Sequence, residues 1–180
     1  MIKIDAGELF LVEPREEYAE QIVEYRKEFL DAGDSMDGTG PLRVCDDPVV
    51  YIAECEKHKS TLTLPEGRVI ATQFFCVRKE DDRIVGMIQV RHYMNEYLSM
   101  YAGNIGYSVR PSERRKGYAT SMLGAVLPYC REIGLDKILI SCHEGNIGSE
   151  KTILSNGGIY ESTVEEPGEE LGLKRFWITL

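Results

Sequence analysis

Apolar residues in this chain recur every second position in some stretches and every third or fourth in others, and the changes of period mark its elements. Leu9–Val12 is a short apolar run stopped by Pro14, which predicts an edge strand. Tyr18, Ile22, Val23, Tyr25, Phe29 and Leu30 then follow helical spacing through Asp31, and Gly33 and Gly38 open a loop. A second helix is predicted from about Pro48 to His58. Gly67 precedes a β-branched and aromatic strand, Val69–Val77, joined by the Glu80–Asp81–Asp82 turn to Ile84–His92 as a hairpin.

The next strand, Gly103–Arg110, stops at Pro111. A helix follows from Gly117 to about Ile133, with Ala119, Met122, Leu123, Val126, Leu127 and Cys130 on its apolar face and Gly134 placed to end it. Pro128 falls inside that helix, where it removes a hydrogen bond to Gly124 and is expected to kink the axis. Lys137–Cys142 reads as a buried strand. Ile147–Leu154 reads as a short helix ended by Asn156–Gly157–Gly158, and strands near Ile159–Val164 and Lys174–Thr179 close the chain. The order β-α-α-β-β-β-α-β-α-β-β predicts one α/β domain over residues 1–180. Its single mixed sheet would have six to seven strands flanked by about four helices, with a βαβ core at about 103–158.

Length and composition agree with one soluble domain: 180 residues, 43% hydrophobic and 28% charged. No apolar run approaches the ~18–20 residues that span a bilayer, and the first residues lack a signal-peptide core, so a cytoplasmic protein without membrane association is expected. Five cysteines with no CxxC pair fit reduced thiols, and the three histidines and the carboxylates have no ligand spacing, so no metal is expected. Of the net charge of −9, residues 1–60 carry −8 (15 acidic, 7 basic). This balance argues against nucleic-acid binding. It suits either solvated helix faces or attraction of a cationic substrate.

The chemistry concentrates between strand 103–110 and helix 117–133, in Pro111-Ser112-Glu113-Arg114-Arg115-Lys116-Gly117-Tyr118-Ala119-Thr120. Backbone N–H groups at a helix start lack intrahelical partners, and the helix dipole favours an anion there. Gly117 and Ala119 leave room for phosphate oxygens, and Arg110, Arg114, Arg115 and Lys116 add positive charge against Glu113 alone. The glycine patterns of dinucleotide-binding folds and of P-loops are absent. A basic turn that merely starts a helix is the plainer alternative.

Arg114-x-x-Gly117-x-Ala119 resembles the acetyl-coenzyme A signature of the GNAT N-acetyltransferases, R/Q-x-x-G-x-G/A. Asn104–Pro111 is similar to that family's fourth strand, and Asn146-Ile147-Gly148-Ser149 to its N-x-x-S variant after the fifth. Arg91–His92, Ile105–Ala119 and Asn156–Gly158 look like a bacterial subgroup of acetyltransferases without assigned substrates. The resemblance implies a single GNAT domain that uses acetyl-CoA as acetyl donor, in a wedge between those two strands. It implies that Val109 lends backbone groups to pantetheine, that Arg114, Arg115, Lys116, Gly117, Tyr118 and Ala119 hold the pyrophosphate, and that Thr120 adds a hydroxyl. Asn146 would bond to pantetheine. Ser149 would protonate the departing thiolate or cap its helix.

The implied reaction is direct attack by a primary amine of a small molecule or peptide, with a strand N–H near Ser108 or Val109 on the oxyanion. The family's usual acid, a tyrosine seven residues after the asparagine, is Ile153 here. Ser149 and then Tyr160 are the candidates for that role, and Glu96 and His92 the candidates for the base; His143 ranks below both. Substrate selection is assigned to residues 14–60 and 93–103, with Asp34, Asp37, Asp46 and Asp47 as attractors of a cationic amine. The chain is expected to act as a monomer or homodimer. The competing class is a catalytically silent acyl-CoA-binding sensor or interaction module, which the missing tyrosine would suit.

Overall fold

A computed structural model describes residues 2–180. The chain opens with a hairpin of β1 (Lys3–Ala6) and β2 (Leu9–Val12), turned at Gly7 with φ +73°. Helices α1 (Ala19–Asp31) and α2 (Pro48–Lys57) follow, then β3 (Ala71–Arg78), β4 (Arg83–Arg91) and β5 (Ile105–Val109). Helix α3 (Tyr118–Glu132) leads to β6 (Lys137–His143), α4 (Ile147–Ser155), β7 (Ile159–Val164) and β8 (Leu173–Thr179). The α/β class and the order from Leu9 onward are those read from the periodicity. Pro128 lies inside a continuous α3, and Gly134 (φ +88°) follows the helix end.

Two features differ from the sequence reading. β1 lies outside β2, so Leu9–Val12 is an inner strand and not an edge. The alternation of Ile2, Ile4 and Ala6, which rest partly buried on the core, is the signal for it. The expected single mixed sheet is divided into a five-stranded sheet, β1-β2-β3-β4-β5, and a three-stranded one, β6-β8-β7, antiparallel at every pairing.

The division has a local cause. At the near end of β5 and β6, Gly103 bridges Ile140, Asn104 N–H donates to Leu139 O at 2.7 Å, and Asn104 Oδ1 accepts from Leu139 N at 2.9 Å. Beyond that clasp no ladder joins the two strands, so their facing backbone groups line a gap. Alternation sorts the larger sheet into two faces. Phe74, Ile88 and Val90 pack with Met122, Leu123 and Val126 of α3. Phe75, Val77 and Met87 pack with Ile22, Tyr25 and Phe29 of α1 and Tyr51 of α2.

Candidate active site

A cavity of about 900 Å³ occupies the gap between the sheets. It runs from the start of α3, past β5 and β6, to the loop after α1.

At the α3 end, Gly117 is the N-cap residue, at φ +83° and with no side-chain cap, so the first-turn amides have no partner from a capping side chain. Gly117 is needed for its backbone: a Cβ there would meet no atom within 4 Å, but a left-handed φ disfavours other residues. Arg115 also has a positive φ, +63°. Glu113 holds this turn from below. It is buried and accepts from Arg78 Nη1 at 2.8 Å and Lys116 Nζ at 2.7 Å, with Arg83 at 3.6 Å. Burial raises its pKa, but the bonds from Lys116 and Arg78 outweigh that and hold the carboxyl below the usual glutamate range.

The four basic side chains therefore divide. Lys116 turns to Glu113. Arg110 is 2% exposed, lies over the Tyr25 ring and faces Glu24 and Glu28 of α1, away from the cavity. Arg114 lines the cavity and pairs with Asp34 at 2.6 Å, tying this turn to the loop after α1. Only Arg115 has no carboxylate within 4 Å among the described residues. Tyr118, Ala119 and Thr120 also line the cavity.

In the middle, Arg110 N–H donates to Val85 O and Arg91 N–H to Asn104 O. Strand alternation then directs Ser108 N–H toward β4 and leaves those of Tyr107 and Val109 facing the gap. Val109 O accepts from Arg114 Nε at 3.1 Å. Asn146 caps α4, its Oδ1 accepting from Ser149 N–H at 3.1 Å, so Ser149 is not the cap. The Ser149 hydroxyl instead meets Tyr107 OH at 2.8 Å, across the gap. Burial pushes the Tyr107 phenol up to about 12, and burial likewise raises the neighbouring Cys142 thiol. The sequence reading passes over Tyr107 because one inward tyrosine on a strand looks like any core aromatic.

At the far end, the loop after α1 sits on β5. A Cβ on Gly38 would fall 2.0 Å from Gly106 O, and Gln73 Nε2 donates to Gly38 O at 2.8 Å. That contact brings Asp34 and Asp37 to the cavity, whereas Asp47 is spent capping α2 and neither it nor Asp46 lines the cavity. On β6, Ile138, Ile140 and Cys142 join the α3-side core, so Ser141 and His143 face the other way. Both line the cavity, and Ser141 Oγ and His143 Nδ1 are buried without hydrogen-bond partners.

The other catalytic candidates lie apart. His92 points to the α3 face, where its Nε2 meets Thr72 Oγ1 at 2.9 Å and Tyr129 OH at 3.4 Å, and burial lowers its pKa. Glu96 is exposed, and Tyr160 is 52% exposed on β7 with its hydroxyl on Thr163. None of the three lines the cavity. No group of three or more metal-ligating side chains occurs among the described residues, and no helix there is long and apolar enough to cross a membrane.

The comparisons with known proteins agree with this geometry. The model of the acetyltransferase (GNAT) domain matches residues 9–159, and the chain belongs to that family. The protein named "Uncharacterized N-acetyltransferase YnaD" of Bacillus subtilis (strain 168) is 28% identical over 88 residues. That match covers 48% of this chain and 49% of YnaD, about half the length of this relative. Among solved structures, the ribosomal-protein-S5-alanine acetyltransferase of Vibrio fischeri superposes with a TM-score of 0.73 at 14% identity, over 99% of this chain and 97% of that one. RimJ of Mycobacterium smegmatis, in complex with CoA-disulfide, superposes with a TM-score of 0.70 at 20% identity, over 98% and 84%. Both share the fold with this chain.

Proposed function

We propose that the protein transfers the acetyl group of acetyl-CoA to a primary amine of a small molecule or peptide by direct attack. The observation that carries this reading is the continuous cavity from the uncapped start of α3 to the Tyr107–Ser149 pair, in the gap between β5 and β6. The amides of Gly117, Tyr118, Ala119 and Thr120, with Arg114 and Arg115, suit a pyrophosphate. Val109 and the free amide nitrogen of Asn146 suit the pantetheine amides.

The thioester of the donor supplies the activated acetyl carbon. Val109 N–H, unpaired on the gap side, stabilises negative charge on the carbonyl oxygen. His143 takes a proton from the acceptor ammonium, a role that its place on the acceptor face favours over His92 and Glu96. As the carbon–sulfur bond breaks, Ser149 gives its proton to sulfur, Tyr107 reprotonates the serine oxygen, and the second proton leaving the attacking nitrogen restores the phenol. This hydroxyl pair supplies the acid that Ile153 lacks, which favours an enzyme over a silent module. The name of the Vibrio fischeri structure makes a protein alanine one acceptor used on this fold.

The test is acetyl-CoA binding by calorimetry, followed by thiol release with an amine panel. Amine-dependent release of CoA is expected, with loss on His143→Gln. Tight binding without turnover of any amine would instead make the chain an acyl-CoA-binding module, and absence of binding would overturn both readings.

A further inference from the structure

Arg91, at the end of β4, lines the cavity, and no carboxylate pairs with it within 4 Å among the described residues. Its Nη1 donates to Ala102 O at 3.2 Å and Gly103 O at 3.0 Å, which closes the turn before β5. Nε and Nη2 have no protein partner, and neither is a sealed, buried atom. They form the side-on edge of the guanidinium, two parallel donors spaced for the two oxygens of one carboxylate. The charge is held at a cost, since burial alone pulls the arginine pKa down, and Asp37 and Tyr97 only partly offset this.

The surroundings narrow the ligand. The guanidinium lies against β5, its Nη2 3.4 Å from where a Cβ on Gly106 would be. Gly106 is three residues from Val109, roughly 10 Å along a strand. A carboxylate on Arg91 and a nitrogen ~3 Å from the thioester carbon leave room for a spacer of only one to three carbons. Asp37 shares the cavity, with one carboxylate oxygen accepting from Ser35 Oγ and the other unpartnered, in place to receive an ammonium. Glu166, bonded to Tyr97 OH, and Glu169 add negative charge that opposes a doubly charged phosphate more than a carboxylate.

Resting on the acetyltransferase reading, we propose that the acceptor carries a carboxylate a few atoms from its amine and that Arg91 binds it side-on. A free amino acid, or an aspartate or glutamate as the first residue of a peptide, would supply this chemistry.

The experiment uses the full-length protein with acetyl-CoA and matched acceptor pairs: free amino acids against their carboxamides, and aspartyl-alanine amide against asparaginyl-alanine amide. Charge-assisted pairing predicts at least about a tenfold higher kcat/KM for the carboxylate member. The first pair responds if the carboxylate is that of a free amino acid, the second if it is that of a peptide side chain. Arg91→Lys keeps a cation for the two carbonyls and loses the side-on edge. It should raise KM for the carboxylate member about tenfold, leave kcat within about twofold, and leave the carboxamide unchanged. Equal turnover within both pairs by the wild type would overturn the inference and leave the acetyltransferase reading standing. So would a loss of kcat shared by every acceptor in Arg91→Lys, which would assign the guanidinium to the reacting carbonyl. Absence of CoA release with any amine would overturn both.

Discussion

Tyr107 and Ser149 stand with their hydroxyls 2.8 Å apart, one on a strand of the larger sheet and one on the helix between β6 and β7 of the smaller sheet. The Tyr107 hydroxyl also reaches the Ser149 carbonyl oxygen, at 3.4 Å. If this pair delivers the proton to the leaving sulfur, Tyr107→Phe and Ser149→Ala should each lower kcat by about 10- to 100-fold, with KM for acetyl-CoA changing less than about threefold. Because they act as one unit, the double variant should be little worse than the poorer single one. Steady-state kinetics decide it, and additive losses would separate the two roles.

The contact of Gly38 with Gly106 predicts a defect confined to the acceptor side. Gly38→Ala forces the loop after α1 off β5, because a Cβ would lie 2.0 Å from a carbonyl oxygen. Acetyl-CoA binding by calorimetry should persist, with acceptor KM raised by about tenfold or more.

Glu113 anchors the turn before α3 through Arg78 and Lys116. Glu113→Gln should reduce stability at neutral pH by about 1–3 kcal/mol and weaken CoA binding. The carboxyl pKa is lowered by folding, so its contribution is full above the unfolded value and is lost as pH falls through the folded one. Denaturant melts of wild type and variant should therefore converge in acid, below about pH 4.

His92 gives a second pH signature. Burial lowers its pKa, so the folded protein prefers the neutral ring, and stability falls as pH drops below about 6.5 toward the folded value. His92→Gln should flatten the melting temperature between pH 7 and pH 5. It should leave the neutral-pH kcat within about threefold, because the ring sits with Thr72 and Tyr129 outside the cavity.

Asn146 has two uses that one variant can separate. Asn146→Ala removes the α4 cap and should cost about 1 kcal/mol in denaturant melts. Asn146→Asp retains a cap, so stability should recover while CoA affinity stays low through loss of the amide donor.

What could be read along the chain follows from locality. The turn before α3 needs a strand end, a left-handed glycine and a helix start within ten residues, and each has its own local signature in Val109–Ala119. The helices and most strands were legible for the same reason, since periodicity reports which face each element buries. β1 was missed because four residues flanked by a two-residue turn give too short an alternation. The acid and base were ranked on residue type and linear position, and both are poor guides. His92 and Arg91 are neighbours at the end of β4, but alternation sends one to the α3 face and the other to the cavity.

The sequence by itself determined the α/β order, the basic turn before α3 and the family, because these depend on contacts within a few dozen residues. Tertiary structure alone decided which side chains meet in the cavity. Asn104 and Gly103 clasp β5 to β6 at one end only, and the gap left beyond them brings together Arg91, Tyr107, His143 and Ser149. No spacing along the chain records where two strands part.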